Sequence, residues 1–374
     1  MISVKVKGTA TVLCFFLGAL GGSSFFRLAK AAWVLFGFDY RSFRLEYSYR
    51  FFYDYLRFFQ GQRWCSNKIN RLLRVQKIKS SALFHFAGGS QMNIGLVLSG
   101  GMAKGAYQIG SLQALNNFVP LNEIKYISCA SIGVLNGYAY ATANLDRAEQ
   151  MWKNICSNDT RLVITQILRS SMLQQNIKSI YDADKKLSSN FYCSLLDLSH
   201  RSIVYKDLSE IDSNNIPLYL KASVAMPIYN RSVQIDNTSY FDGAMVDNIP
   251  VYPLLKHNID YIICIYFDDT CYKFENTYFD NKIIKITFPS ESMLKQSVVF
   301  KQDSIDDMIK NGYDRTMYLL KTVFSEGYEN LEYIYRTIEH MNQSNKSNSL
   351  RITGDVLVTN LNKLTQRLTK RKVL

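Results

Sequence analysis

The segment LSGGMAKGAYQIGSLQAL, residues 98–115, is the feature that most constrains the fold of this chain of 374 residues. It begins as the end of an apolar strand, continues through a loop with glycines at positions 100, 101 and 105, and becomes a helix. A glycine loop in this place directs free backbone N–H groups and the positive end of the helix dipole toward whatever lies above it. The segment therefore predicts a strand–loop–helix unit that stabilises negative charge.

Strands and helices alternate along the chain from about residue 91 onward, which predicts an α/β fold with a mostly parallel sheet covered by helices on both faces. The predicted strands are Ile94–Leu98, Tyr126–Cys129, Leu218–Ala222, Tyr261–Phe267 and Lys282–Thr287. The predicted helices are Ala106–Phe118, Val134–Ala143 and Ser304–Phe324.

Three kinds of site use a glycine loop between a strand and a helix. A P-loop needs GxxxxGK followed by Ser or Thr, whereas Lys104 precedes Gly105 here. A dinucleotide site needs GxGxxG, whereas Gly100 and Gly101 are adjacent, which makes an oxidoreductase a distant alternative. The third kind is an oxyanion hole, which stabilises the negative oxygen that forms when a nucleophile attacks an ester. This third use requires a nucleophile nearby.

The next predicted strand ends at a serine that fits this requirement. In ISCASIGVLNG, residues 127–137, Ser131 lies between a strand and a helix, as in a nucleophile elbow. The residues two before and two after the serine must be small in such a turn, because strand and helix approach closely there. Gly133 fulfils this condition, and Cys129 replaces the usual glycine with another small residue. Ser131 is therefore a candidate nucleophile.

A nucleophilic serine also needs a base, and the best candidate is Asp242. The four histidines of the chain lie in no recognisable turn motif. Asp242, in YFDGAMVDNIPVYP, is followed at once by Gly243, which lets a carboxylate project from the end of a strand. A desolvated carboxylate can accept the serine proton directly, without a histidine. The alternative is that Asp242 only initiates a turn.

These motifs, taken in order, resemble those of the patatin-like phospholipases. LSGGMAKGAYQIGSLQAL is similar to that family's LSGGGARGAYQIGVLKAL, and CASIG occupies the place of its GxSxG. KASVAMPIY, residues 221–229, is similar to its A-S-x-A-x-P segment, and FDGAMVDNIP resembles its DGG/DGA motif with the downstream Asn248 and Pro250. The resemblance covers residues 94–258 and extends more faintly through residues 304–324.

The resemblance implies a three-layer α/β domain and assigns roles to individual residues. Ser131 would be the acyl-accepting nucleophile and Asp242 its base. The backbone amides around Gly100, Gly101 and Met102 would form the oxyanion hole, with Lys104 in place of the family's usual arginine. Met102 stands where the family has a third glycine, so this position must avoid a positive φ or tolerate strain.

The basic residues of the chain are concentrated at its two ends, which predicts attraction to an anionic membrane surface. The formal net charge is +13, and residues 27–79 contain twelve Lys or Arg against three acidic residues. Lys5 and Lys7 add two positive charges, and residues 361–374 add five Lys or Arg and no acid, so residues 80–360 carry only about −3. A nucleic-acid enzyme normally has positive charge around its groove, so we expect no nucleic-acid partner. Solvated basic tails are the alternative.

The amino-terminal region also suggests contact with a membrane. Thr9–Phe26 is an uncharged run of 18 residues, which fits a short membrane anchor, a secretory signal or a buried helix. Residues 33–59 interleave thirteen aromatic residues with four arginines, a combination suited to the headgroup layer of a bilayer. The alternative is that these aromatic side chains pack onto the central domain.

We therefore predict a membrane-associated lipid acyl hydrolase of the phospholipase A or lysophospholipase type, acting through an acyl-serine intermediate. The alternative is a catalytically inactive patatin-like protein that binds lipid. We expect three regions: residues 1–90, the membrane-associated region; 91–325, the hydrolase domain; and 326–374, a helical extension with a basic tail. Seven cysteines without a CxxC pair, and the lack of a calcium-loop pattern, predict no metal or other cofactor. Headgroup preference, acyl position and oligomeric state are not determined by the sequence.

Overall fold

The structure is a computed structural model that describes residues 92–155, 171–200, 202–227, 230–267, 272–274, 277–288, 302–344 and 349–351. Apart from residues 200 and 202, these belong to one compact unit, Cys65–Ser199 with Ile203–Leu357. The predicted anchor or signal at Thr9–Phe26, the aromatic residues 33–59 and the basic tail lie outside the described residues.

A twisted sheet of eight strands forms the centre of this unit. Its strands are β1 (Ile94–Leu98), β2 (Ile124–Cys129), β3 (Asn190–Asp197), β4 (Ser202–Asp207), β5 (Val233–Ile235), β6 (Thr238–Asp242), β7 (Tyr261–Tyr266) and β9 (Ile283–Thr287). The order is β5-β6-β3-β2-β1-β7-β9, with β4 also paired to β3. The five strands from β3 to β9 run parallel, whereas β6 is antiparallel to both β3 and β5. β8 (Tyr272–Phe274) and β10 (Ser349–Arg351) form a separate parallel pair.

Eight α-helices are described around these strands. They are α1 (Gly105–Leu115), α2 (Ile132–Ala141), α3 (Leu145–Ile155), α4 (Ser171–Ile180), α5 (Ile216–Ser223), α6 (Thr277–Asp280), α7 (Gln302–Val323) and α8 (Leu331–Ser344). The central sheet with flanking helices confirms the predicted α/β class at this level.

One predicted strand is wrong, because Leu218–Ala222 lies within helix α5. A short apolar run such as LYLKA does not distinguish a strand from a buried helix by periodicity alone. Pro217 stands in the first turn of the helix, where its fixed φ favours helix formation and its missing N–H costs nothing. The remaining predicted strands and helices occur within a few residues of their predicted bounds.

The two faces of the sheet have separate cores, because side chains alternate along each strand. Leu96 and Leu98 belong to the larger core, which includes apolar side chains of α1, α2 and α3. Val97, between them, belongs to the smaller core, together with residues of the segment 249–259. Every side chain of β1 and β7 is buried, as expected for central strands of a covered parallel sheet.

Helix α1 is held in close contact with α7 by two glycines. A Cβ atom at Gly110 would collide with the carbonyl oxygen of Ile309, and one at Gly312 would collide with the carbonyl oxygen of Tyr107. The hydroxyl of Ser111 donates to the carbonyl of Tyr107 at 2.9 Å at the same crossing. The helix that follows the glycine loop is therefore fixed against a second helix along its length.

Candidate active site

The glycine loop, Ser99–Lys104, and the serine turn lie at the same edge of the sheet. β1 and β2 are parallel neighbours in which Leu98 pairs with Cys129, so the segments that follow both strands emerge side by side. The N–H of Ala130 donates to the carbonyl of Leu98 at 3.0 Å and continues the pairing to the last residue before the serine. The loop and the serine were predicted separately, and the sheet brings them together.

Ser131 occupies the strained backbone conformation of a tight strand-to-helix turn. Its φ is 52° and its ψ is −131°, and it is the residue directly before helix α2. A non-glycine residue with these angles is disfavoured and persists only where its surroundings hold it. A Cβ atom at Gly133 would lie 2.7 Å from the carbonyl oxygen of Leu98 and 2.8 Å from that of Ser99. The two carbonyl oxygens therefore leave no room for a side chain at position 133, as the sequence predicted.

Cys129 fits at the other small position because the helix opposite it makes room. Its side chain is fully buried, and a Cβ atom at Gly137 would lie only 2.6 Å from its sulfur. Gly137 in α2 therefore accommodates the volume that Cys129 adds over glycine. Burial also raises the pKa of the Cys129 thiol well above its ordinary value, which keeps it protonated and unreactive.

Strand β3 aligns Asp242 with Ser131. Cys129 of β2 pairs with Cys193 of β3, and Leu195, two residues further along β3, pairs with Asp242 of β6. Ser131 is likewise two residues beyond Cys129. Because β6 runs antiparallel to β3, Asp242 at the end of β6 lies at the same edge of the sheet as Ser131, which follows β2. The sequence analysis did not predict β3, so it could not anticipate this alignment.

Asp242 is buried next to Ser131. Burial raises the pKa of Asp242 to about 7, even though the neighbouring Ser131 side chain and the N–H of Ala244 favour the charged form and lower it. The Ala244 N–H donates to Oδ1 at 2.8 Å, so the carboxylate also caps the short helical turn Gly243–Met245. The two interpretations of Asp242 are therefore compatible, because one carboxylate both starts a turn and contacts the serine.

Two further segments hold the backbone around Asp242 and the glycine loop. The N–H of Asp242 donates to the carbonyl of Ala225 at 2.9 Å, so the KASVAMPIY segment supports the aspartate. Asn248 donates through Nδ2 to the carbonyl of Gly100 at 3.3 Å, and its own carbonyl accepts from the Gly100 N–H at 3.3 Å. These contacts explain why the motif residues after Asp242 are coupled to the loop.

The glycine loop lies directly beside the serine. A Cβ atom at Gly100 would be 2.8 Å from the Cβ of Ser131. The Gly100 N–H is engaged by Asn248, whereas among the described residues no hydrogen-bond acceptor is found for the N–H groups of Gly101 and Met102. Met102 has a φ of 54°, so it tolerates the left-handed conformation that its place in the motif demands.

Lys104 is buried at the end of the loop. Only 4% of the residue is exposed, and its Nζ lies 5.5 Å from the centre of the Phe267 ring. Phe267 also fills the space over Gly101, where a Cβ atom would collide with its ring. The positive charge is therefore held against an aromatic face next to the loop.

Of the described histidines, His257 contacts aromatic side chains rather than Ser131 or Asp242. His257 stacks on Tyr126, with ring centres 4.0 Å apart, and its Nε2 is 2.8 Å from the hydroxyl of Tyr192. Within the described ranges, no group of three or more His, Cys, Asp or Glu could hold a metal ion. In the same part of the chain, no helix has the length and apolar character needed to cross a bilayer.

Sequence reasoning missed three buried polar side chains that surround the glycine loop, namely Gln108, Asn136 and Trp152. The signal was present, because a glutamine in GAYQIGSL and an asparagine in VLNGYAYA interrupt helices that are otherwise apolar or small. All three are fully buried and hydrogen-bonded to one another or to the loop.

The chain is similar to several known proteins. Uncharacterized NTE family proteins of Mycobacterium bovis and Mycobacterium tuberculosis are each 24% identical over 192 residues, which is 49% of this chain and 51% of theirs. The chain thus spans about half the length of these curated relatives. The crystal structure of VipD from Legionella pneumophila superposes with a TM-score of 0.39 and 11% identity, over 63% of this chain and 67% of VipD. The sequence model described as "Patatin-like phospholipase" matches residues 96–255, so this region is similar to the patatin-like phospholipases.

Proposed function

We propose that this domain is a lipid acyl hydrolase of the phospholipase A or lysophospholipase type, with Ser131 as nucleophile and Asp242 as base. The observation that carries the proposal is the position of Ser131 beside both the glycine loop and the buried carboxylate of Asp242, whose pKa burial raises to about 7. The match to the patatin-like phospholipase model supports lipid esters as the class of substrate.

The first half of the proposed reaction forms an acyl-serine. Asp242 accepts the hydroxyl proton while the Ser131 Oγ attacks the ester carbonyl carbon, and the carbonyl oxygen becomes negative. The tetrahedral intermediate then expels the alcohol portion of the lipid, which takes the proton back from Asp242. In the second half, Asp242 removes a proton from water while the water oxygen attacks the acyl carbon. The bond between the acyl carbon and the Ser131 Oγ then breaks, Ser131 takes the proton back from Asp242, and the fatty acid is released.

The glycine loop would stabilise the negative oxygen in both halves. The N–H groups of Gly101 and Met102 are the donors best placed to do so, because the Gly100 N–H donates to the Asn248 carbonyl at 3.3 Å. Gly100 would bring the loop close to Ser131, and the buried Lys104 would add positive charge behind it. Backbone donors of this kind can each contribute about 100- to 1000-fold to turnover.

The test is release of fatty acid from mixed anionic phospholipid vesicles, measured by mass spectrometry. We expect Ser131→Ala and Asp242→Asn each to abolish release. Ser128→Ala is the matched serine control, because Ser128 is buried on β2, shortly before Ser131. Asp236→Asn is the matched aspartate control in the β5–β6 turn. Release by all variants at the wild-type rate would contradict the assignment. No release by wild type would favour the inactive lipid-binding alternative.

We also propose that the basic ends attract the protein to anionic membranes. The support is the charge distribution, since the five Lys or Arg of residues 361–374 face no acid in that segment. Replacing these five residues with Gln in the full chain should weaken binding to anionic vesicles and leave binding to neutral vesicles unchanged. The difference should shrink at high salt, because screening reduces attraction between exposed charges. Equal binding of both proteins to anionic vesicles at low salt would contradict this proposal.

A further inference from the structure

A continuous chain of buried hydrogen bonds connects helices α1, α2 and α3 to the glycine loop. The Nε1 of Trp152 donates to Oδ1 of Asn136 at 3.0 Å. The Nδ2 of Asn136 donates to Oε1 of Gln108 at 2.8 Å and to the carbonyl of Gly105 at 2.9 Å. The Nε2 of Gln108 in turn donates to the carbonyl of Ser99 at 2.8 Å. All three side chains have 0% exposure, so each bond is shielded from competing water.

The Trp152 indole fixes the direction of donation along this series of hydrogen bonds. The Trp152 N–H can only donate, so the oxygen of Asn136 must face it and both amide hydrogens of Asn136 must point away. One of these hydrogens requires an acceptor on Gln108, which places the Gln108 oxygen toward Asn136 and its NH₂ group toward Ser99. Reversing either amide would set two donors or two acceptors against each other inside the core, which is costly. The arrangement therefore has a single low-energy orientation.

The carbonyls of Ser99 and Gly105, which accept these bonds, lie on either side of residues 100–104. Ser99 begins the loop and Gly105 follows it, so residues 100–104 are tied down at both ends. Asn136 belongs to the same helix that begins one residue after Ser131. The chain of hydrogen bonds therefore joins the loop to the helix that carries the serine, rather than to a distant part of the fold.

We propose that Gln108 and Asn136 are positioning residues that set the distance between the oxyanion donors and Ser131. This inference rests on the proposed role of Ser131. Oxyanion donors act only when they lie about 2.7–3.1 Å from the developing charge, and a displacement of about 1 Å can reduce the rate by roughly 100-fold. Neither side chain touches the reacting atoms, so their effect should fall on turnover and not on substrate binding.

The first test compares Gln108→Met with Thr142→Val. Methionine has nearly the shape of glutamine but cannot donate to Ser99, so the start of the loop is released. Thr142 lies directly after the far end of α2, is buried, and donates to the carbonyl of Tyr138 at 2.9 Å, so its replacement also removes a buried hydrogen bond. We expect Gln108→Met to lower kcat by about 10- to 100-fold with KM within about twofold, whereas Thr142→Val changes neither by more than about twofold. Equal kcat values for the two variants would overturn the inference.

A second test does not depend on activity. Amide hydrogen exchange of residues 99–105 should become faster in Gln108→Met and in the milder Trp152→Phe, and should be unchanged in Thr142→Val. Unchanged exchange in the loop of Gln108→Met would overturn the inference even if kcat fell.

Failure of the proposed function would look different. In that case wild type would show no fatty acid release and no labelling of Ser131 by a fluorophosphonate probe, while the exchange experiment would still report whether Gln108 holds the loop. Labelling of wild type at Ser131 with equally fast labelling of Gln108→Met would retain the proposed function and reject the positioning role.

Discussion

Ser131 and Met102 have almost the same φ, 52° and 54°, but the two residues are held in this conformation by different means. Around Ser131 the support comes from the backbone: Ala130 N–H donates to Leu98, and Val134 N–H donates to the Ser131 carbonyl at 2.9 Å. Around Met102, side chains from elsewhere in the fold add to the backbone bonds, because Gln108, Asn136 and Asn248 donate to carbonyls of the loop or of the residue after it.

The difference shows two ways of building a strained site. The serine turn depends on small residues that let backbones approach, so it should be sensitive to added side-chain atoms. The glycine loop depends on buried amide side chains, so it should be sensitive to their removal. Each prediction below tests one side of this contrast, with the largest expected effect first.

Gly133→Ala should cause the largest loss, because the new methyl group would lie within 3 Å of two backbone carbonyl oxygens that cannot rotate away. We expect hydrolysis to fall by about 100-fold or more as the serine is displaced, with unfolding free energy reduced by about 1–3 kcal/mol. Gly101→Ala is the counterpart in the loop, where the obstacle is the Phe267 side chain, and its loss should be smaller. A larger loss in Gly101→Ala than in Gly133→Ala would contradict the contrast.

The pH dependence of kcat/KM should come from Asp242, which lies beside Ser131, because the backbone N–H donors of the glycine loop do not titrate. Asp242 must be ionised to accept the proton, so kcat/KM should fall by about tenfold per pH unit below its pKa of about 7. Gln108→Met should lower kcat/KM at every pH without changing the pH at which kcat/KM begins to fall. An acidic limb near pH 4, the ordinary range for Asp, would contradict the assignment of Asp242 as base.

The same carboxylate should cost stability at high pH. The pKa of Asp242 is higher in the folded chain than in the unfolded chain, so folding favours the protonated form and stability is lost as pH rises from about 4 to about 7. Asp242→Asn should therefore unfold at a higher temperature than wild type at pH 8, by a stability difference on the order of a few kcal/mol. At pH 4 the difference should be much smaller, and thermal unfolding at the two pH values measures both. A lower melting temperature for Asp242→Asn at pH 8 would contradict this prediction.

Cys129 and Gly137 should be energetically coupled. Gly137→Ala in the wild-type background adds a methyl group against the Cys129 sulfur and should destabilise by about 1–3 kcal/mol. In the Cys129→Gly background the space is open, so the same change should cost less. A double-mutant cycle by denaturant unfolding should give a coupling of about 0.5–3 kcal/mol. Additive effects would mean that Gly137 does not accommodate the cysteine.

Met102→Gly should have the smallest effect. Glycine removes the steric cost of the left-handed conformation, about 1–2 kcal/mol, but adds flexibility to the unfolded chain. We expect a net gain of at most about 1 kcal/mol in unfolding free energy and little change in kcat, because the loop is already held by its side-chain hydrogen bonds. A fall in kcat of more than about tenfold would show that the Met102 side chain itself shapes the site.

Much of the site was predictable because its parts are local in sequence. The strand–loop–helix unit and the serine turn depend on residues next to one another, and β1 was predicted with the bounds that it has in the structure. Helix α5 was mistaken for a strand because its apolar run is short. β3 was missed because a strand buried on both faces shows no clear alternation.

The sequence by itself determined the glycine loop, the tight serine turn and the resemblance to patatin-like phospholipases, because small residues at set spacings occur in few other kinds of site. Tertiary structure alone decided that Asp242 meets Ser131 and that Gln108 and Asn136 hold the loop. The physical reason is that these contacts depend on strand register and on desolvation. Register places Asp242 through its pairing with Leu195, and burial raises the pKa of Asp242 to about 7. Neither property belongs to any short segment of the chain.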